Sequence, residues 1–297
     1  MKNSKYSKTA MLIAMAICLL AKEATLEKMV NNQRLLHAVK FIKSQGVLGK
    51  LFVFLANFRF FRLMCFKMEG VVLPGVLLHF LARKKMIDQL IESEIDSGSE
   101  QVAILGAGFD GLSDLLVHRF PELTVFTLDH PATYSQLETN KTSDIKTIKL
   151  ACEIGVNDVT KSLVDGGFDP KKKTVFLAEG LLMYLQEQVV RSLFDELSII
   201  SRVPSTFVFT SMKKQKDGKI DFVNSSRWLI RWLKKNKESF TWGANDKEIS
   251  TLLASTNWKL VQSFQEKKLA TQILFKNGLK DKRLVEGEWI YMAKTVH

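Results

Sequence analysis

A chain of 297 residues and 33.8 kDa, with 46% hydrophobic and 25% charged residues, can bury a sizeable core as one large or two small globular domains. Its three cysteines, Cys18, Cys65 and Cys152, are odd in number and widely spread, with no C-x-x-C and no histidine at metal spacing; neither a disulfide framework nor a zinc site is supported, no metal is expected, and a reducing compartment fits. The net charge of +12 is uneven, with ten Lys or Arg against three acids between Arg202 and Glu238, a balance suited to a membrane surface or an acidic substrate; no nucleic-acid-binding signature accompanies it, so nucleic acid is not expected as a partner.

The N-terminus, MKNSKYSK followed by TAMLIAMAICLLA, imitates a signal peptide. The apolar run falls short of the about 20 residues a bilayer span needs, no A-x-A site follows, and the pattern continues through Leu26, Met29 and Val30, so a buried helix is expected. From Leu35 to Met68 the sequence is helical and rich in phenylalanine (41, 52, 54, 58, 60, 61 and 66), set among Lys43, Lys50, Arg59, Arg62 and Lys67. Aromatic stripes at helical spacing are usually core, which predicts cap helices; the alternative is a basic amphipathic surface that touches lipid or lines a pocket for an apolar substrate. Pro74-Gly75 breaks the chain, and a helix from about Val76 to Glu92 carries Arg83, Lys84 and Lys85 before the Asp96 to Glu100 linker.

Gln101 to Asp129 organises the rest. An apolar run, Val102 to Leu105, stops at Gly106, a helical pattern restarts near Leu112, and a second run, Val125 to Leu128, ends in Asp129. That is a βαβ unit with short apolar strands suited to burial on both faces. Its turn, Gly106-Ala107-Gly108-Phe109-Asp110-Gly111, is a G-x-G-x-x-G with an acid about 20 residues on, where a ribose-binding carboxylate belongs. The hexad serves dinucleotides and, in looser form, S-adenosylmethionine. Asp110 leans to the second, because a carboxylate there repels a diphosphate and suits an ammonium and a sulfonium.

After Asp129, His130-Pro131 ends the strand and opens a helix toward Lys141, and Ile145 to Cys152 reads as a third strand ending at Glu153-Ile154. Thr174 to Ala178 is a buried strand ending at Glu179-Gly180, followed by a helix over Leu181 to Ile200. Asp129, Glu153 and Glu179 then share the carboxyl rim of a parallel sheet, where ligands bind. Thr206 to Ser211 is a further strand. In Arg227 to Lys237, Trp228 and Trp232 lie one helical turn apart, as an exposed helix with its indoles tucked inward or as a lid. A helix over Asp246 to Thr256 and strands at Trp258 to Gln265 and Glu288 to Ala293 close a set of seven strands.

Taken together, these pieces resemble the leucine carboxyl methyltransferase-like family of S-adenosylmethionine-dependent methyltransferases, including its bacterial O-methyltransferase branch. The matching residues are Ala82-Arg83, Leu105 to Asp110, Leu128 to Thr133 with Lys141, and Glu179-Gly180-Leu181-Leu182-Met183-Tyr184-Leu185, the most specific piece. Glu238 with Phe240, Trp242 and Gly243, and Ser7 to Ala10, match more weakly. The resemblance implies an α/β class I methyltransferase fold, Rossmann-like, with a seven-stranded, mostly parallel sheet and helices on both faces. A helical N-terminal cap would occupy residues 1–99 and the cofactor domain residues 100–297, with a basic insertion at 212–240. It implies S-adenosylmethionine as cofactor: Arg83 would pair with its carboxylate, Gly106, Ala107 and Gly108 would allow close backbone approach, and Asp129 would take the ribose hydroxyls. Glu153 and Ile154 would bracket the adenine, Glu179 would face the amine, and Asp110 and His130 would complete the rim. Tyr184 and Met183 would border the substrate pocket.

The chain departs from the family at Gly111-Leu112-Ser113, where Thr-Arg-Ala is usual, at Ile17-Cys18 in place of Arg-Ala, and in lacking an Asp-Pro dipeptide downstream. These departures fall on the substrate side, so methylation of a phosphatase does not follow. Methyl transfer from a sulfonium is an in-line displacement served mainly by alignment. A carboxylate needs no general base whereas a hydroxyl does, and His37, His79, His118 and His130 are not placed by sequence to supply one. The expected activity is O-methylation of an apolar small molecule through a carboxylate or hydroxyl, in the cytoplasm, with weak peripheral contact to anionic membrane. The alternatives are an NAD-dependent dehydrogenase, against which Asp110 and the long N-terminal extension count, and a non-catalytic membrane-associated protein on the same fold. Lys84→Ala is expected to do little beside Arg83→Ala, and Glu179→Gln to weaken cofactor while hardly moving the stability of the free protein.

Overall fold

The protein is described by a computed structural model covering residues 7–131, 133–134 and 147–296. Seven strands form one sheet in the order β3-β2-β1-β4-β5-β7-β6: β1 Gln101–Leu105, β2 Thr124–Asp129, β3 Thr147–Ala151, β4 Thr174–Ala178, β5 Thr206–Met212, β6 Trp258–Phe264 and β7 Glu288–Thr295. The first five pair in parallel, while β7 runs antiparallel between β5 and β6. The seven expected strands are therefore present in a Rossmann-like order.

Side chains alternate between two cores because successive strand residues point to opposite faces. Val102, Ile104, Val125, Val175 and Leu177 pack on one face under α5 (Val76–Asp96), α6 (Leu112–Arg119) and the helical run that begins with α11 (Glu266–Leu269). Ala103, Leu105, Phe126, Leu128, Phe176 and Ala178 pack on the other under α7 (Val159–Asp165), α8 (Glu187–Ile200) and α10 (Asp246–Ser255). Both faces of the parallel strands are covered, which explains why they read as unbroken apolar runs.

Ahead of the sheet lie α1 (Lys8–Leu20), α2 (Asn32–Ser44), α3 (Val47–Leu55) and α4 (Arg59–Val72). The signal-like run is α1, whose Ala14, Ile17, Cys18 and Leu19 share a small core with Phe41 and Ile42 of α2. The Phe-rich segment behaves differently from the expectation of core helices: α4 has no buried residue, and Phe54, Phe58 and Phe60 are exposed. Among the described residues no single helix is long and apolar enough to cross a membrane.

One boundary shifts and one element is added. The helix expected from Leu181 begins at Glu187, because Gly180 has positive φ and the carbonyls of Met183 and Leu185 accept hydrogen bonds from Thr241, holding a short 3-10 turn off the helix axis. A helical run at Glu266–Asn277, between β6 and β7, was not signalled by the sequence. Residues 145 and 146 of the expected third strand, and Lys141, lie outside the described residues.

Gly111, the last glycine of the hexad, precedes α6 with φ of +73°, and a Cβ there would stand 2.6 Å from Cγ of His37 on α2. Left-handed backbone costs an L-residue roughly 1–2 kcal/mol, so Gly111→Ala is expected to lower stability by at least about that much. Urea titration of the two proteins checks it; unchanged stability would mean that α2 does not pack on this turn.

Candidate functional site

In an open parallel sheet the crevice forms where the strand order reverses, beyond the carboxyl ends of the strands. Here that point lies between β1 and β4, with Gly106 closing one strand and Glu179 the other. A cleft of about 350 Å³ opens there, floored by Gly106 to Asp110, Asp129, Glu179 and Gly180, with Arg83 and Lys84 entering from α5. Its other wall is apolar and comes from α1, through Ala10, Ile13, Ala14 and Ile17, joined by Tyr184 and by Lys237 and Glu238.

The turn is tight for physical reasons. Gly106 and Gly108 have positive φ, and a Cβ on Gly106 would approach Leu181 to 3.0 Å. Asp129 ties the turn down: its Oδ2 accepts the Gly108 N-H at 2.6 Å and its Oδ1 accepts the His130 N-H at 2.7 Å. Each oxygen keeps a further lone pair for a ligand hydroxyl.

Behind the turn runs a buried network of charges. Arg34, from α2, donates to Asp88 and to Asp110. Lys84 Nζ lies 2.9 Å from Asp110 and 3.1 Å from Glu179 Oε1. Arg83 donates Nε to Glu179 Oε1 at 2.9 Å and Nη1 to both oxygens of Glu288, the first residue of β7, which also meets His79 Nε2 at 3.0 Å. Burial alone would raise the Asp110 carboxyl, but the Arg34 guanidinium and the Lys84 ammonium outweigh it and hold it well below the usual carboxylate range. Burial opposes ionisation of Glu288 as well, and Arg83 with His79 brings it down to about 2. Asp88 goes the other way, its carboxyl raised because burial exceeds what Arg34 returns.

Five carboxyl groups (Asp88, Asp110, Asp129, Glu179, Glu288) thus face three fixed cations (Arg34, Arg83, Lys84), an excess that persists with Asp88, the one raised by burial, left out of the count. Glu179 Oε2 and Arg83 Nη2 carry no partner among the described residues, and Nη2 lies beside Gly180, so the pair can still receive an ammonium and a carboxylate.

Of the residues singled out by sequence, Arg83, Gly106, Ala107, Gly108, Asp110, Asp129, Glu179 and Tyr184 line this one cleft. His130, half-buried, and Glu153, exposed, stand outside it with their side chains 3.4 Å apart, and Ile154 is half-buried among the residues that open α7. Met183 is buried away from the cleft with Leu73, Met212, Phe222 and Val285. Lys84, expected to behave as a neighbour of little consequence, is 6% exposed and bridges two carboxylates of the site. Arg34, His79 and Glu288 carried no sequence signal, since their partners lie on distant elements. Glu238 joins the two weakest motifs: its Oε1 accepts the Lys8 N-H at 2.6 Å, and its Oε2 accepts the Thr9 N-H at 3.0 Å and the Thr9 hydroxyl at 2.6 Å, capping α1 over the cleft.

The sequence profile of the leucine carboxyl methyltransferase family matches residues 56–198. Two proteins of Mycobacteroides abscessus, each provisionally named an S-adenosyl-L-methionine-dependent methyltransferase, are 28% and 31% identical to this chain over 54% and 46% of it and 58% and 47% of their own lengths. The chain spans about half the length of these curated relatives. A crystal structure from Thermobifida fusca, titled provisionally as a methyltransferase, superposes with a TM-score of 0.55 over 82% of this chain and 90% of its own at 15% identity, a likeness of fold.

Proposed function

We propose that this chain, which belongs to the leucine carboxyl methyltransferase-like family, uses S-adenosylmethionine to methylate an oxygen of an apolar small molecule, a carboxylate in preference to a hydroxyl. The observation that carries the reading is the excess of carboxylates around a glycine turn at the sheet's switch point. A dinucleotide brings a diphosphate, which that excess repels; a sulfonium with an ammonium is attracted by it.

The residues present fit such a group. Asp129 offers lone pairs to the ribose hydroxyls, Glu179 Oε2 to the ammonium and Arg83 Nη2 a donor to the carboxylate, while Gly106 to Gly108 leave room for close approach. When bound, S-adenosylmethionine supplies a methyl on cationic sulfur, whose carbon-sulfur bond breaks as the acceptor oxygen forms its bond to carbon. On the acceptor side, α1 gives an apolar wall and Lys237, without an ion-pair partner among the described residues, gives a cation at the mouth. Burial pushes the Tyr184 phenol up to about 12, so near neutral pH it stays protonated and does not act as a base. Glu238 is engaged in capping α1. With no base at hand among these groups, an acceptor already ionised is favoured.

Calorimetric titration with S-adenosylmethionine and NAD, followed by mass analysis after incubation with apolar carboxylic acids and the matching alcohols, tests the reading. Binding of S-adenosylmethionine alone, and methyl esters without methyl ethers, are expected. Binding of NAD without S-adenosylmethionine would overturn the family of reaction, and ethers without esters the acceptor. Asp129→Ala is expected to weaken S-adenosylmethionine by roughly tenfold or more, the loss of hydrogen bonds to a charged acceptor.

A further inference from the structure

The outward face of α4 has no role in the cleft. Phe60, Leu63, Met64, Lys67, Met68 and Val71 recur at i, i+3, i+4, i+7, i+8 and i+11, one stripe of a helix, and all of them are exposed, Phe60 to 81%. Their opposite neighbours Phe61, Cys65 and Phe66 are half-buried and pack on the cores beneath. An amphipathic helix ordinarily turns its apolar stripe inward; this one turns it to solvent. The preceding helix continues the patch through Val47, Leu48, Leu51 and Phe54, and Phe54 and Phe58 meet edge to face at 5.2 Å across the α3–α4 turn. Monomeric soluble proteins rarely expose contiguous apolar patches beyond a few hundred Å² without a use for them.

The exposed charges of α3 and α4 are all basic, and the half-buried Arg62 is paired with Glu23. Lys40, Lys43, Lys50, Arg59 and Lys67 are exposed, and Glu69, half-buried, is the one acid between Lys40 and Val71. At the C-terminal end of α4 the Val72 carbonyl accepts the Ser226 N-H at 3.3 Å, which sets α9 (Arg227–Asn236) alongside. That helix adds the exposed Arg227 and Arg231 and an indole, Trp228, that is 61% exposed and not tucked inward.

We propose that the α3–α4 face, with the start of α9, docks on an anionic lipid surface, lying in the interface with Phe54, Phe60, Met64 and Met68 inserted and the basic residues at headgroup level. Charge complementarity selects this occupant. A second copy of a chain that carries +12 would bring lysines against lysines, whereas a lipid surface supplies both the apolar interior and the negative charge. The face lies on the surface and does not span, since α5, which follows, is packed against the sheet with Arg83, Lys84 and Asp88 buried. Docking of this kind is independent of methyl transfer, and it places the cleft, which α1 and Ala38 of α2 wall, near the lipid surface.

The test is co-sedimentation of the full chain with vesicles of phosphatidylcholine alone and of phosphatidylcholine with phosphatidylserine, at about 0.05 M and about 1 M salt, where the screening length falls from above 10 Å to about 3 Å. Expected are binding to the serine-containing vesicles at low salt, roughly tenfold or more weaker binding to the neutral ones, and release at high salt. The triple variant Phe60→Ser, Met64→Ser, Met68→Ser should lose binding by roughly tenfold or more while keeping its melting temperature and its response to S-adenosylmethionine. Should that variant misfold, Lys43→Glu with Lys50→Glu, both fully at the surface, replaces it and should lose binding to the serine-containing vesicles. Equal sedimentation with both vesicle types, none with either, or unchanged binding by the folded variants overturns the proposal. A concentration-dependent dimer that the triple variant abolishes overturns it too, by assigning the face to a second copy.

Discussion

Replacing Glu179 by glutamine is expected to weaken S-adenosylmethionine by roughly tenfold or more and, in the same variant, to destabilise the ligand-free protein by about 1–3 kcal/mol. Sequence alone leads one to expect only the first effect, an acid on the sheet rim that can be neutralised with little cost to the fold. In the structure the carboxylate has two duties on two oxygens. Oε1 takes Arg83 Nε at 2.9 Å and Lys84 Nζ at 3.1 Å, both from side chains buried on α5, while Oε2 faces the cleft. An amide can accept from those donors, but it removes a full negative charge from two buried cations, and a buried charge left under-compensated is costly. Urea titration without ligand and calorimetry with S-adenosylmethionine separate the two duties. A ligand analogue lacking the ammonium should lose much less affinity than the cofactor does. Equal losses for both ligands would show that the affinity change comes from the disturbed network and not from a lost contact with the ammonium.

The division between what the sequence announced and what it hid follows from the range of the interactions. Parallel strands buried on both faces announce themselves as local runs, Val102 to Leu105 and Thr174 to Ala178, and an acid at the end of such a run falls on the ligand rim whatever the rest of the chain does. Asp129 and Glu179 were legible for that reason, and the glycine turn by its spacing. Lys84 was not, because its neighbours in sequence, Arg83 and Lys85, look the same and only the docking of α5 decides that Arg83 and Lys84 are buried and Lys85 is not. Nor was the direction of α4: helical periodicity says that an apolar stripe exists, and only tertiary packing says whether it looks inward. Glu238 acquires its meaning from Lys8 and Thr9, more than two hundred residues away, a pairing that no local pattern reveals.

Arg34 illustrates the same blindness and carries the largest expected effect on stability. It is 3% exposed, and its guanidinium reaches Asp88 on α5 with one arm and Asp110 in the glycine turn with the other, so that one planar fork joins the N-terminal helices to the site. Arg34→Met keeps much of the volume and leaves both carboxylates without that cation, which is expected to cost about 3–5 kcal/mol near neutral pH, the range for breaking one side of a buried pair. Arg34→Lys, whose ammonium is a point charge and cannot hold both carboxylates as the fork does, should fall between. The sign of the pH dependence follows from the directions of the shifts. The depressed carboxyls, Asp110 and Glu288, stabilise the fold above their unfolded values near 4, and that stability is lost as pH falls through their folded values, about 2 for Glu288 and lower for Asp110. Asp88, whose carboxyl is raised, acts in the opposite sense: its contribution is present below the unfolded value and lost as pH rises. In Arg34→Met the Asp110 carboxyl loses its largest source of depression and Asp88 loses its only guanidinium, so both take up protons at milder acidity and shed the cost of buried charge. The gap between wild type and Arg34→Met should therefore be widest near neutral pH and narrow on acidification toward pH about 4. Urea denaturation of the two proteins across that interval measures the gap directly; a gap that stays constant would mean that Arg34 contributes through packing and not through its two carboxylates.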